Sequence, residues 1–224
     1  MKMFRLWRNV SLVTGTLLIC ACSVTRDLPE DSYLLNHVKV VADGKYKDIS
    51  TTQLKDYVRQ KTNSRWFSTF RIPFGVYSMA GRDSSWLNRT LRAMGEPPVL
   101  YDSIQARLSC EDLKLALQNK GYLDAQVELF THKKKKKADA YYVLHPNTPH
   151  HIGTFDVDIR DSVISKLLID RKPTLHTGMQ FSTEALNTER SQITSFLQNR
   201  GYFRFHKEFI TYRASRDAEH HKVN

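Results

Sequence analysis

Two rhythms of apolar and polar positions alternate along this chain. In residues 33–41, Val38 and Val40 stand against Lys39, and Gly44 breaks the run, which predicts a strand. Leu54, Tyr57 and Val58 then share one face at i, i+3, i+4 spacing, with Thr51 or Thr52 as the cap of a short helix. From Asp102 or Ser103 to Lys120, Leu113, Ala116 and Leu117 fall on one helical face. Beyond Gly121 the period returns to two, with Ala125, Val127 and Leu129 alternating. Residues 133–137 are five lysines and read as the solvated tip of a hairpin that comes back through residues 141–145. Pro146-Asn147-Thr148-Pro149 is too short for a flexible linker and implies two modules in contact. The order then repeats. Ile152, Phe155, Val157 and Ile159, set against Asp156, Asp158 and Arg160, form the clearest period-two run in the chain. Val163, Ile164, Leu167 and Leu168 predict a short helix. Ser182 or Thr183 caps a longer one with Leu186, Ile193, Phe196 and Leu197 on its apolar face, and residues 205–212 predict a strand.

The repeat is written in the residues as well as in the rhythm. Leu117-Gln118-Asn119-Lys120-Gly121-Tyr122-Leu123 returns as Leu197-Gln198-Asn199-Arg200-Gly201-Tyr202-Phe203, and at the same offset Glu128 falls on Glu208 and Thr131 on Thr211. A helix ending in Lys or Arg suits its own negative C-terminus, and the following Gly takes a left-handed cap without a Cβ penalty. Gly121, Tyr122, Gly201 and Tyr202 are therefore structural markers of one unit used twice: helix, glycine stop, strand. The first module's closing strand, around residues 141–145, maps onto residues 221–225, so the second module is expected to be cut short at Asn224.

Composition changes the picture at the N-terminus. Met1 to Arg8 is basic, and Val10 to Ala21 is a twelve-residue apolar stretch, too short to span a bilayer and right for a signal-peptide core. It ends Leu18-Ile19-Cys20-Ala21-Cys22-Ser23, which resembles the bacterial lipobox with Cys22 as the lipidated residue; an ordinary signal peptide with incidental cysteines is the alternative. Cleavage before Cys22 leaves Cys110 as the single free thiol, so no intrachain disulfide is expected, and Cys110 reads as a small core filler. Ser23 carries no retention signal of the Asp type, so the outer membrane is the expected destination. The chain has 224 residues and a net charge of +11, three charges of which lie in the leader. A basic chain suits nucleic acid or an anionic surface, and export excludes nucleic acid.

Residues 62–101 mix Trp66, Phe67, Phe70, Phe74, Tyr77 and Trp86 with Arg65, Arg71, Arg82, Arg89 and Arg92. This is a helical insertion packing its aromatics on its own domain, a contact for membrane or partner, or, as the least favoured reading, a nucleic-acid surface. His145, His150 and His151 flank the Pro-x-x-Pro turn without Cys or helical spacing and read as solvated turn histidines, so no metal is expected. Asp156 and Asp158 read as exposed. With no G-x-S-x-G, no P-loop and no Cys–His pair, the residues argue against an enzyme. The lysine run is a solvated tip, or a patch for anionic headgroups.

The ordered set of Cys22, Leu28-Pro29-Glu30, Tyr33-Leu34-Leu35, Gly95-Glu96-Pro97-Pro98-Val99-Leu100-Tyr101-Asp102, Asn119-Lys120-Gly121-Tyr122, Pro146-x-x-Pro149 and Asn199-Arg200-Gly201-Tyr202-Phe203 resembles the POTRA arm of BamA/TamA outer-membrane assembly factors. It is closest to their lipoprotein (TamL) subfamily. That subfamily tends to P-G-x-P-Y where this chain has Pro146-Asn147-Thr148-Pro149-His150, but Asn147 also tolerates the left-handed turn. The resemblance implies an α+β fold of two tandem POTRA-like β-α-α-β-β modules, each a three-stranded mixed sheet with two helices on one face, the second incomplete. The implied division is a lipoprotein signal peptide at 1–21, a lipidated tether at 22–32, a first module at 33–146 with the insertion at 62–101, and a second module at 150–224. It implies a periplasmic arm on an outer-membrane lipid anchor, with no cofactor beyond the covalent lipid on Cys22. Its partners would be unfolded outer-membrane protein clients and a TamB-like protein. Clients would add to a sheet edge, the candidate strands being those of Val38, Val40 and Val41 and of Phe155, Val157 and Ile159. A stand-alone lipoprotein adaptor, and more remotely a periplasmic hydrolase, are the competing readings.

Overall fold

The computed structural model describes residues 28–29, 31–63, 77, 80, 83, 85–169 and 171–224. The leader, Cys22 and most of the aromatic–arginine segment (Arg65, Trp66, Phe67, Phe70, Arg71, Phe74 and Arg82) lie outside the described residues. Among the described residues no helix is long and apolar enough to cross a membrane.

The architecture is α+β. Strand β1 (Leu34–Ala42) is followed by a one-turn helix α1 (Thr51–Leu54), a 3-10 turn (Lys55–Tyr57), helix α2 (Trp86–Met94) and the long helix α3 (Ser103–Asn119). Strands β2 (Gln126–Lys134) and β3 (Lys137–His145) complete a sheet of order β1-β3-β2. Strand β1 runs in the same direction as β3: the Leu34 N–H donates to the Lys136 carbonyl near one end, and the Asp43 N–H to the Leu144 carbonyl at the other. Then come β4 (His151–Ile152), α4 (Ser162–Ile169), α5 (Thr183–Gln198), a second 3-10 turn (Lys207–Phe209), β5 (Arg216–Asp217) and β6 (Lys222–Val223). These form a second mixed sheet of order β4-β6-β5, with β4 parallel and β5 antiparallel to β6.

Two compact units result. One gathers residues up to Val41 with Asp48–Cys110 and Glu128–Val143; the other gathers Ala42–Lys47, Glu111–Val127 and Leu144–Asn224. In the first, Leu34, Leu35, Val40, Leu54, Val58, Ala106 and the alternate residues Ala138, Ala140 and Tyr142 of β3 are buried. Period two along β3 puts every second side chain on the covered face. Asn63 is buried too, and it replaces a missing ladder: its amide donates to the Pro97 carbonyl at 2.7 Å and its Oδ1 accepts from the Val99 N–H at 3.0 Å. The second unit buries Leu113, Ala116, Leu117, Tyr122, Ala125, Leu144, Ile152, Leu175, Leu197 and Val223.

Local chemistry explains most boundaries. The Asp102 Oδ1 accepts from the N–H groups of Ile104 and Gln105 and starts α3; the Ser182 hydroxyl accepts from the Ala185 N–H and starts α5. The cap of α1 is Ser50, one residue before the expected threonines, its hydroxyl facing the Gln53 N–H. The lysine run is the hairpin tip: Lys135 and Lys136 alone form the turn, both in the left-handed region at φ 46° and 58°. Cys110 is only part-buried, its thiol against the Ala106 carbonyl.

Two predicted strands are absent. Phe155, Val157 and Ile159 lie in irregular, largely exposed chain, and β4 stops at Ile152. Alternation makes a strand possible, but a strand needs a neighbour. Among the described residues β4 pairs with β6 at His151↔Lys222 and Ile152↔Val223, and no pairing reaches Phe155. Residues 205–212 form the second 3-10 turn and irregular chain instead of a strand, and the outer strand is β5, further along. Two carbonyls of that stretch are taken by helix side chains: Gln198 donates to the Phe205 carbonyl and Arg190 to that of Lys207.

Candidate functional site

The first candidate is the outer side of β1, a terminal strand of its sheet. Val40 is buried, Val38 and Val41 are half-buried, and His37 and Lys39 are exposed. At the start of the strand this side is occupied: the Leu35 N–H donates to the Val99 carbonyl, and the Tyr101 N–H to the Tyr33 carbonyl. Because successive residues of a strand direct their backbone groups to opposite sides, His37 and Lys39 present theirs to the same side as Leu35. Among the described residues, the Val99–Tyr101 pairing ends before them. On the inner side Asp139 of β3 accepts from the Asn36 amide at 2.7 Å and sits 2.9 Å from the His37 imidazole. Burial raises the Asp139 pKa, but these hydrogen bonds outweigh it and hold the carboxyl below its ordinary range.

The second candidate lies where the helix end repeats. The two copies fold alike: Gly121 and Gly201 both sit at φ 97°, the Tyr122 N–H donates to the Leu117 carbonyl at 3.1 Å, and the Tyr202 N–H to that of Leu197 at 3.1 Å. This is the Schellman cap that the lysine–glycine and arginine–glycine steps predict. Their surroundings differ. Around Gly201 nothing would meet an added Cβ, whereas at Gly121 it would lie 2.2 Å from the Phe181 carbonyl oxygen. The Gly121 carbonyl accepts from the His150 N–H, the His150 carbonyl from the Phe181 N–H, and the Lys120 carbonyl from the Gln180 amide. The absence of a side chain at position 121 is what lets the connector and the α5 approach run against the end of α3.

This packing buries His150 completely, which corrects the expectation of a solvated turn histidine. Its neighbours are chemical. The Arg216 Nε donates to His150 Nε2 at 3.2 Å, and the same guanidinium makes a close ion pair with Asp124. Asp124 Oδ2 lies 3.7 Å from His150 Nε2, and the His221 ring stands edge-on at 5.3 Å. Burial, then the Arg216 charge, lowers the His150 pKa, so the imidazole is neutral. The Nδ1 atoms of His150 and His221 are buried without a protein hydrogen-bond partner, each at a desolvation cost of about 1–3 kcal/mol. Asn147 takes the left-handed turn at φ 62° and its amide donates to the Asp124 carbonyl at 2.8 Å, so the Pro-x-x-Pro turn delivers His150 to this place. His145 instead contacts Asp43 at 2.8 Å, and His151 enters β4. Sequence reading missed Asp124 and Arg216, and it set His220 and His221 aside as metal ligands because they lie near the end of the chain. The one signal available was the histidine after Pro149, and the turn that swings it inward depends on backbone contacts far apart in the chain.

A buried ion pair was also not foreseen. Glu189 of α5 pairs with Arg171 through both carboxylate oxygens and accepts the Thr174 N–H at 2.8 Å. Burial raises its pKa, yet the Arg171 and Thr174 bonds prevail and hold it below the usual carboxylate range.

No protein-family model and no curated protein sequence matches the chain. Solved structures do. The chain is similar to the POTRA3–5 portion of BamA from Haemophilus influenzae, at 10% identity over 88% of this chain and 97% of that one, with a TM-score of 0.31. It is also similar to POTRA1–2 of the periplasmic domain of Omp85 from Anabaena, at 10% identity over 87% and 94% respectively, with a TM-score of 0.35.

Proposed function

We propose that this chain is the periplasmic POTRA arm of a BamA/TamA-type outer-membrane assembly factor of the lipoprotein (TamL) class, anchored through lipid on Cys22. Its role is to hold unfolded outer-membrane protein clients, or a TamB-like partner, by adding their extended segments to the outer side of β1. The observation that carries this is a terminal strand whose outer backbone groups continue past the Val99–Tyr101 pairing. Main-chain recognition needs no particular client side chain, which suits a handler of many sequences. The half-buried Val38 and Val41 provide apolar contact along this strand, one on each face. The ordered motifs from Cys22 to Phe203 support the family reading, and the lipobox supports the anchor. Of the two edges expected from the sequence, Phe155, Val157 and Ile159 have no strand and β1 remains, with β2, the other terminal strand of its sheet, as the comparison.

The test is photo-crosslinking in envelopes with a reactive side chain at Lys39, alongside one at Lys134 on β2. Crosslinks to nascent outer-membrane proteins from position 39 and few from 134 are expected, with Cys22→Ser releasing the chain from the outer membrane and weakening them. Equal yields at the two positions, or none at 39, would overturn β1 as the client edge. Continued membrane retention of Cys22→Ser would overturn the lipid anchor.

A further inference from the structure

We propose that Asp124, His150 and His221 form a binding site for a divalent transition-metal cation of the Zn2+ class, at a position that the Arg216 guanidinium bridges. One ligand atom from each of the three residues lies within 4.8 Å of the others. Tetrahedral Zn2+ bonds of ~2.0–2.2 Å place neighbouring ligand atoms about 3.4 Å apart, so closure takes side-chain shifts of about 1 Å. Two imidazoles and a carboxylate, without thiolate, suit Zn2+, Co2+ or Ni2+ and are poor for Ca2+ or Mg2+, which take oxygen ligands.

Three observations separate this cluster from ordinary surface histidines. His150 is wholly buried, with its Nε2 3.7 Å from Asp124 Oδ2. His221, in the turn between β5 and β6 at φ 48°, keeps a buried Nδ1 that no protein group satisfies. The protein has also placed a positive group where a metal would bond. Arg216 reaches the carboxylate of Asp124 and the imidazole of His150 together, and its side chain is partly exposed. Metal and guanidinium are thus alternatives at one position.

The ligands come from the stretch after α3, from the connector and from the β5–β6 turn. A bound cation would tie these three segments together, leaving its fourth position to water.

The experiment is titration of the purified, chelator-treated chain with Co2+ and then Zn2+. Expected are a saturable one-to-one Co2+ complex with the intense visible absorption of a four-coordinate N/O site, its displacement by Zn2+, and micromolar or tighter Zn2+ affinity by calorimetry. Asp124→Asn and His221→Gln should each weaken Zn2+ by at least about tenfold. Arg216→Met should tighten it, an outcome that a merely structural role for Arg216 would not produce. His220→Ala, beside the site in sequence but exposed, should change nothing. Circular dichroism of each variant reports its folding, and Arg216→Met keeps the test decisive if a ligand variant unfolds. Absence of a saturable Co2+ complex, binding untouched by His221→Gln and Asp124→Asn, or weaker binding in Arg216→Met would each overturn the proposal.

Discussion

A single glycine marks the difference between two copies of the same seven-residue stretch. Gly121 and Gly201 share their backbone angle and their cap hydrogen bonds, so in both an alanine would meet the left-handed penalty of about 1–2 kcal/mol. Only at 121 does the new methyl also run into backbone, the Phe181 carbonyl oxygen 2.2 Å away. Gly201→Ala should therefore lose about 1–2 kcal/mol, and Gly121→Ala distinctly more, with loosening around His150. Urea unfolding of the two variants side by side measures this. Equal losses would mean that the contact at Gly121 contributes nothing.

At the scale of elements, the β2–β3 hairpin turns on two lysines in a conformation that neither favours. Left-handed angles at both central residues are the type I′ pattern, which matches the twist of paired strands and prefers Asn-Gly. Replacing Lys135 by Asn and Lys136 by Gly should raise stability by about 1–2 kcal/mol. It would also sacrifice the exposed bond from Lys136 Nζ to the Pro29 carbonyl. A thermal melt that rises supports the reading of the turn; a fall would mean that the lysines' own contacts matter more than the strain. The same hairpin shows why β3 is well ordered while the second sheet has two-residue strands. Nine residues of β3 lie between two long neighbours, whereas β4 and β5 each find only Lys222 and Val223.

At the scale of the molecule, the shifted carboxylates among the described residues all move the same way. The hydrogen bond from His145 holds Asp43 low, and Asp139 and Glu189 are held low by their partners against the pull of burial. Each lowered pKa means that the unfolded chain binds protons first on acidification. Their stabilisation is therefore complete above the ordinary values of 4.5 for Glu and 3.8 for Asp and is lost as pH falls below them. Urea midpoints should hold from pH 7 to 5 in respect of these groups and drop towards pH 3, with Glu189→Gln showing a smaller drop from a lower start. An acid limb as steep in Glu189→Gln as in the parent would remove Glu189 from the account.

The α+β class, the order of the elements, the apolar face of α3 and both glycine caps could be read from the residues. Each rests on contacts within a few positions: Lys120-Gly121-Tyr122 closes a helix wherever it is placed, and Ala138, Ala140 and Tyr142 alternate because strands do. The period-two run at Phe155, Val157 and Ile159 misled because alternation says nothing of whether a neighbouring strand exists to pair with. His150 looked solvated for a related reason. Its burial depends on Gly121 accepting its N–H, on the Phe181 N–H donating to its carbonyl, and on Asp124, Arg216 and His221 arriving from distant parts of the chain. Hydrophobic period and caps are short-range and survive in one dimension. The pairing of edges and the meeting of charges are long-range, and only the folded chain brings those residues together.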